Sequence, residues 1–377
     1  MKRRARIRFL GLTLCLIAAC GETPDSPSHA SAPASVPKGE LNLYNWSDYI
    51  APNTLRDFER ETGIHVRYDV FDSNELLEAK LLAGGTGYDL VVPSASFVAR
   101  QITAGVFQPL DKTKLPGMKG LDPAVMKLLA GYDPENRHAL PWLWGTTGMG
   151  YNRGMIASRM ADAPLDSWDL VFKPEVVSRF ADCGVALLDT PSEILPLVLR
   201  HLGRPVDSQH PEDLAAAEAV LMAIRPHVRY FHSSQYINDL ANGGICLVVG
   251  WNGDILMARE RAREASDPQD IGYSIPREGS LVWVDTIAIP RDSPNLENAY
   301  RFLEYILRPE VAAALSNHVH YANAIPASQP LLDQALREDR AVHPAPDTLA
   351  ALFPNAVHTA AFDRLASRAW ARIKRGQ

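Results

Sequence analysis

No apolar run in this 377-residue sequence is long enough to cross a bilayer; the nearest, Phe9 to Ala19, falls well short of the ~20 residues a spanning helix needs. Positive charge is in short supply too, with 38 Lys and Arg against 44 Asp and Glu. That balance argues against a nucleic acid partner and suits a collector of cations, although surplus acid also serves solubility. Fingerprints of catalysis are missing: there is no G-x-S-x-G, no metal-spaced set of His and Cys and no cofactor motif, so neither cofactor nor metal is expected. Gly84-Gly85-Thr86-Gly87 is not a phosphate loop, because it follows a helical pattern, precedes a strand and lacks the Lys-Ser/Thr partner; it reads as a helix stop. His318-x-His320 reads as two isolated loop histidines.

Cysteine is sparse, four in all, and each is placed differently. Residues 1–20 read as a targeting segment: Lys2, Arg3, Arg4, Arg6 and Arg8 precede the apolar run, and Ile17-Ala18-Ala19-Cys20 resembles a lipobox whose cysteine is acylated after cleavage. Cys15 would leave with the leader and Cys20 would carry the lipid. Cys183 and Cys246 remain; an exported compartment lets them pair, and two buried free thiols are the other reading. Losing the five leader cations would carry the formal net charge from −6 to about −11. Gly21 to Lys38, rich in Pro, Ser and Ala, has little to bury and reads as a tether.

From Leu41 onward the pattern alternates strand and helix: strand 41–46, helix about 53–62, strand 65–71, helix about 73–83 and strand 89–92. Asp72-x-x-Glu75 reads as a capping box for the second helix, with Leu76, Leu77 and Leu81 on its buried face. Such alternation implies an α/β fold with a mostly parallel sheet covered on both sides. Leu140 to Gly145 reads as a strand crossing between two lobes, since about 340 residues exceed one small core. A second block follows with strand 185–188, helices about 211–225 and 234–242, strands 228–231 and 245–250, then strand 280–288 and helices about 294–307 and 309–317. The last helix, about 359–374, is expected to bury Phe362, Leu365, Ala369, Trp370 and Ile373.

One design recurs at the strand exits. The first strand ends in Trp46-Ser47-Asp48 and strand 245–250 ends in Trp251-Asn252-Gly253-Asp254, each running into a helix. In open α/β sheets that edge is where ligands sit. Ser94 follows another strand, Glu193 opens a helix, Tyr321 follows the last helix of the second block, and Trp283 and Asp285 share one face of an apolar strand. A buried Asp there either has a partner or awaits one. Singly, Ser47, Ser94, Asp48 and Asp254 could cap helices, Trp46 and Trp251 could be core, and Glu193 could lie in a solvated first turn. Together they suit a small organic cation, with carboxylates for its ammonium groups and indoles for its methylenes. Paired carboxylates among tryptophans also describe glycosidases, the rival reading.

The stretches Tyr44 to Tyr49, Gly63 to Glu75, Tyr88 to Phe97 and Tyr230 to Leu240 closely resemble the putrescine-binding proteins of polyamine ABC transporters, a likeness running from about Leu41 to the C-terminus. The resemblance implies a two-lobed type II periplasmic binding protein, with one lobe from residues 39–142 plus about 286–322 and the other from 143–285 plus about 323–377. It implies a monomeric, non-enzymatic receptor that serves an inner-membrane permease, here lipid-anchored in the periplasm. Its ligand set falls on Trp46, Ser47, Asp48, Tyr49, Ser94, Glu193, Trp251, Asp254, Trp283, Asp285 and Tyr321, and its disulfide on Cys183 and Cys246. Trp283 departs toward the spermidine type and Asn355 replaces an apolar residue near the same pocket, whereas Ser47 and Ser96 match the putrescine type and Thr190 lacks the extra Asp of spermidine binders, so putrescine is favoured.

Overall fold

The computed structural model describes residues 39–376. Ten strands form its sheet: β1 Gly39–Trp46, β2 Ile64–Phe71, β3 Leu90–Val91, β4 Ala139–Asn152, β5 Val185–Leu187, β6 Tyr230–Phe231, β7 Leu247–Trp251, β8 Ile271–Ser274, β9 Leu281–Ala288 and β10 Phe353–Pro354. The order β2-β1-β3-β9-β4-β7-β5-β6 has β10 beside β9 and β8 beside β4. Pairing is parallel at both flanks, β2-β1-β3 and β7-β5-β6. The centre is antiparallel, where β4 pairs with β9 through its first half and with β7 and β8 through its second. The mostly parallel sheet expected from alternation therefore holds at the flanks and fails at the middle, where chain returning from far along the sequence fills the sheet.

Two hydrophobic cores flank that shared strand. The first gathers Leu41, Leu43, Phe58, Ile64, Leu140, Leu143, Ile287, Phe302 and Leu303; the second gathers Trp168, Phe172, Phe180, Val185, Leu187, Leu197, Leu247, Val249 and Trp370. Trp251 packs against both. Alternation puts Leu41 and Leu43 inward in β1, and the buried Asn45 closes the turn that follows: its carbonyl accepts from the Trp46 N–H at 2.8 Å and its amide donates to the Tyr49 carbonyl at 3.2 Å. Asp48 there has φ of 53°, a left-handed conformation that Asp tolerates better than most residues.

Two local expectations are corrected. The helix Asn74–Ala83 is capped by Ser73, whose Oγ accepts from the Leu76 N–H at 3.2 Å, and not by Asp72. Asp72 instead accepts the Ser47 hydroxyl at 3.0 Å, and on the helix itself Leu76 is exposed while Leu77 and Leu81 are buried. In the helix Ala360–Arg375 the buried stripe is Phe362, Ala366, Ala369, Trp370 and Ile373, with Leu365 turned outward at 42% exposure. Gly84 caps the second helix, as read from sequence.

Cys183 and Cys246 are joined, with Cα atoms 5.5 Å apart across 63 residues. Closing a loop of that length is worth roughly 4 kcal/mol on the chain-entropy account. The bond ties the approach to β5 to the start of β7, which carries Trp251 to the cleft. Residues 1–38, with Cys20, the leader and the tether, lie outside the described residues.

Candidate functional site

All eleven residues singled out from the sequence line one cleft of about 850 Å³, counted out to its mouth. The turn after β1 brings Trp46, Ser47, Asp48 and Tyr49. Trp46 is fixed by its indole N–H, which donates to the Val92 carbonyl at 2.9 Å, and its ring meets Trp251 edge-on at 6.0 Å. Asp48 is exposed and faces Arg261 at 3.4 Å, a contact of little energetic weight in solvent.

Three carboxylates sit deeper. Glu193, in the first turn of the helix Pro191–His201, is only 8% exposed; it accepts from the Thr147 hydroxyl at 2.5 Å and from the Trp251 indole at 3.0 Å. Asp254 accepts from the Tyr321 hydroxyl at 2.6 Å and the Tyr236 hydroxyl at 2.7 Å. Asp285 accepts from the Ser94 hydroxyl at 2.5 Å, and Ser94 itself accepts from the Asn74 amide at 2.9 Å. None of the three is a solvated first-turn acid or a helix cap, and Ser94 spends its side chain on Asp285 rather than on the helix behind it.

The donors are all neutral, so burial dominates the electrostatics. Desolvation pushes Glu193 up to about 7, against the pull of Thr147 and Trp251. It pushes Asp254 up to about 6, opposed by the Tyr321 and Tyr236 hydroxyls. Asp285 likewise rises to about 6, opposed by Ser94 and Tyr49. The Tyr49 hydroxyl is buried near Asp285 without closing a hydrogen bond of good geometry, and burial beside anions drives it upward. Each carboxylate is thus held in a state that a nearby cation would relieve.

Aromatic rings fill the space between. Tyr321 stands edge-on to Tyr49 and to Trp283, both at 5.3 Å. Gly253 makes that possible: a Cβ there would lie 2.5 Å from the Tyr321 ring. Gly145 does the same for Trp283, whose ring would meet a Cβ at 2.8 Å. The Gly in Trp251-Asn252-Gly253-Asp254 therefore lets Tyr321 reach Asp254 from the far side.

Sequence reasoning missed Tyr236 and Thr147, the donors to Asp254 and Glu193, and did not pick out Glu75, Phe71, Phe97, Ser233 or Ile237, which line the cleft. No local pattern marks them. Asp189, beside the cleft residue Thr190, is spent elsewhere: it accepts from the Trp370 indole at 2.7 Å and pairs with Lys374 at 2.8 Å.

Residues 53–344 match the family of bacterial extracellular solute-binding proteins. Over 339 residues the chain is 52% identical to the putrescine-binding periplasmic protein PotF of Escherichia coli, covering 89% of this chain and 92% of that one. Over 370 residues it is 43% identical to a putrescine/agmatine-binding protein of Pseudomonas aeruginosa, covering 98% and 99%. The solved structure of the spermidine/putrescine ABC transporter substrate-binding protein PotD from Streptococcus pneumoniae superposes with a TM-score of 0.73 at 28% identity, over 90% of this chain and 99% of that one. With the two-lobed architecture and a family match across most of its length, the chain belongs to the bacterial extracellular solute-binding proteins.

Proposed function

We propose that this protein captures a linear diamine, putrescine foremost, on the periplasmic side and delivers it to an ABC permease of the inner membrane. One observation carries the reading: three buried carboxylates, Glu193, Asp254 and Asp285, are bonded among the described residues only to hydroxyls and an indole N–H, and stand among the rings of Trp46, Trp251, Trp283 and Tyr321. Ammonium groups supply the missing positive charge, and methylenes lie against the ring faces, each cation-over-ring contact adding about 0.5–2 kcal/mol. The names of the Escherichia coli and Pseudomonas aeruginosa relatives point the same way. All eleven cleft residues, Trp46, Ser47, Asp48, Tyr49, Ser94, Glu193, Trp251, Asp254, Trp283, Asp285 and Tyr321, are assigned to the ligand.

The lobes are read as 39–142 plus about 286–322 and 143–285 plus about 323–377, closing over the diamine as one monomeric receptor; the separate cores support two lobes, while Ala324 and Ile325 pack in the first core, just past its assigned bound. Cys20 anchors it by lipid, and the cleft binds and releases without turnover. Trp283, whose indole N–H is buried without a partner, favours a second reading in which spermidine is preferred.

Putrescine has six heavy atoms, so its binding free energy is capped at about 9 kcal/mol, near micromolar. Titration calorimetry with putrescine, cadaverine, agmatine, spermidine and spermine tests the assignment. Saturable 1:1 binding that is tightest for putrescine is expected; no heat from any of the five would sink it.

A further inference from the structure

A separate cavity of about 800 Å³, counted out to its mouth, shares no lining residue with the diamine cleft. Its walls come from the residue that follows β4, from β8 and the residue after it, from the helix Asn252–Glu264 and from the segment 339–348. In a chain with 38 Lys and Arg against 44 Asp and Glu, this lining runs the other way: Arg153, Arg259 and Arg340 stand with a single carboxylate, Asp339.

The arginines keep donors that the fold does not use. Arg340 is exposed and has no hydrogen bond, ion pair or ring contact among the described residues. Arg259 gives one guanidinium nitrogen to Asp339 at 2.6 Å, and its buried Nε has no partner. Arg153 is half exposed and reaches the exposed Asp270 at only 3.3 Å and the Tyr151 hydroxyl at 3.4 Å. Asp339, by contrast, is fully engaged, since its second oxygen accepts from the Ala341 N–H at 2.8 Å. With Asp270 counted, three guanidinium groups still face two carboxylates, so the cavity keeps a positive charge against an acidic background.

Much of the wall is fixed in advance. The Tyr273 hydroxyl donates to the Thr146 carbonyl at 3.0 Å, and the Asn252 amide donates to the Ala341 carbonyl at 3.1 Å, which ties the segment 339–348 to the helix behind it. Gly272 makes room for Arg153, because a Cβ there would lie 2.8 Å from the guanidinium carbon. Little of this frame is left for a ligand to order.

We propose that this cavity binds a small doubly charged oxyanion, inorganic phosphate or a phosphate monoester, at a site of its own apart from the cleft. Planar guanidinium forks match phosphate oxygens two at a time. Arg340 and Arg153 supply the solvent-facing forks, and the more buried Arg259 supplies positive charge at the inner wall. Ile275 and Ala345 line the remaining wall and suit the carbon part of a monoester.

Calorimetry on the intact protein tests the site, with phosphate, sulfate and chloride titrated into the wild type, Arg340→Glu and Arg153→Gln, and putrescine titrated in parallel. Arg340 is exposed and bonded to nothing described, so Arg340→Glu folds normally. The wild type is expected to take up one phosphate with a dissociation constant of about 1 mM or tighter, sulfate competing and chloride not. Arg340→Glu should weaken phosphate at least tenfold and Arg153→Gln at least threefold, while putrescine moves less than threefold in either. Absence of saturable binding up to about 10 mM phosphate at constant ionic strength, displacement by equimolar chloride, or wild-type affinity in Arg340→Glu would overturn the site. Putrescine affinity lost together with phosphate in both variants would overturn it as well, because the cavity would then belong to the cleft.

Discussion

Glu193, Asp254 and Asp285 make the empty protein sensitive to pH in a direction opposite to its ligand. In the unfolded chain these carboxyls ionise near pH 4, whereas in the unliganded fold burial holds them protonated to about 7, about 6 and about 6. Across that window the native state binds more protons than the unfolded one, so stability falls as pH rises, by on the order of 3 kcal/mol per fully buried group. The melting temperature of the ligand-free protein is therefore expected to drop between pH 5 and pH 8, and saturating putrescine should flatten the slope. Calorimetry near pH 6.5 in buffers of differing ionisation enthalpy should also register protons released on binding; their absence would remove the raised carboxyls from the ligand site. At the same scale, Asp285→Asn keeps the shape and removes one charge partner, so putrescine affinity should fall at least tenfold, about 1.4 kcal/mol, while the ligand-free variant, with one fewer buried carboxyl to ionise, should lose stability less steeply as pH rises. Which of these residues could be read in advance follows from cost. Trp283 and Asp285 on one face of an apolar strand demand a reason wherever they occur. Tyr236 and Thr147 do not, since a buried Tyr or a strand Thr is ordinary and acquires its role only from where a distant segment places its acceptor.

Among the elements, the turns and caps explain how side chains arrive at the cleft. Gly253→Ala would set a Cβ 2.5 Å from the Tyr321 ring. The ring must swing away and carry its hydroxyl off Asp254, leaving that carboxylate with Tyr236 alone. Overpacking of this kind costs about 1–3 kcal/mol. Binding should fall more than tenfold and thermal denaturation should show the modest loss; intact affinity would mean that Tyr321 is dispensable. Element positions were largely legible, because two-residue and helical periodicities survive in one sequence. The start of the Asn74–Ala83 helix was not: Asp72 and Ser73 are both good caps, and the choice was made by Ser47, a residue from another loop that claims the Asp72 carboxylate. Leu365 was misplaced because Ala366, one position on, takes the place on the buried stripe that a larger apolar residue was expected to hold.

For the whole molecule, periodicity gives the flanks of the sheet and not its centre. Parallel pairing at each flank follows from local strand-helix-strand order, whereas β9 joins β3 and β4 from nearly 200 residues downstream of β3, which no local pattern encodes. The acidic balance was legible from composition alone, and it agrees with a cleft that concentrates carboxylates. Because β4 bonds to β9 over one half and to β7 over the other, the two cores are tied by continuous backbone and are expected to move by twisting about that strand rather than by separating. Small-angle scattering should show the radius of gyration falling when putrescine is added, and falling less with Asp285→Asn at the same concentration; identical curves with and without ligand would argue against closure.

Trp251 packs against both cores and donates its indole N–H to Glu193. When a diamine settles beside Glu193, that carboxylate gains lasting negative charge within reach of an indole that is also squeezed by lobe rotation. The summed emission of the seven tryptophans, Trp251 among them, should thus shift with occupancy, and the shift should shrink with Trp251→Phe, which makes the unlabelled protein an optical reporter of its own cargo.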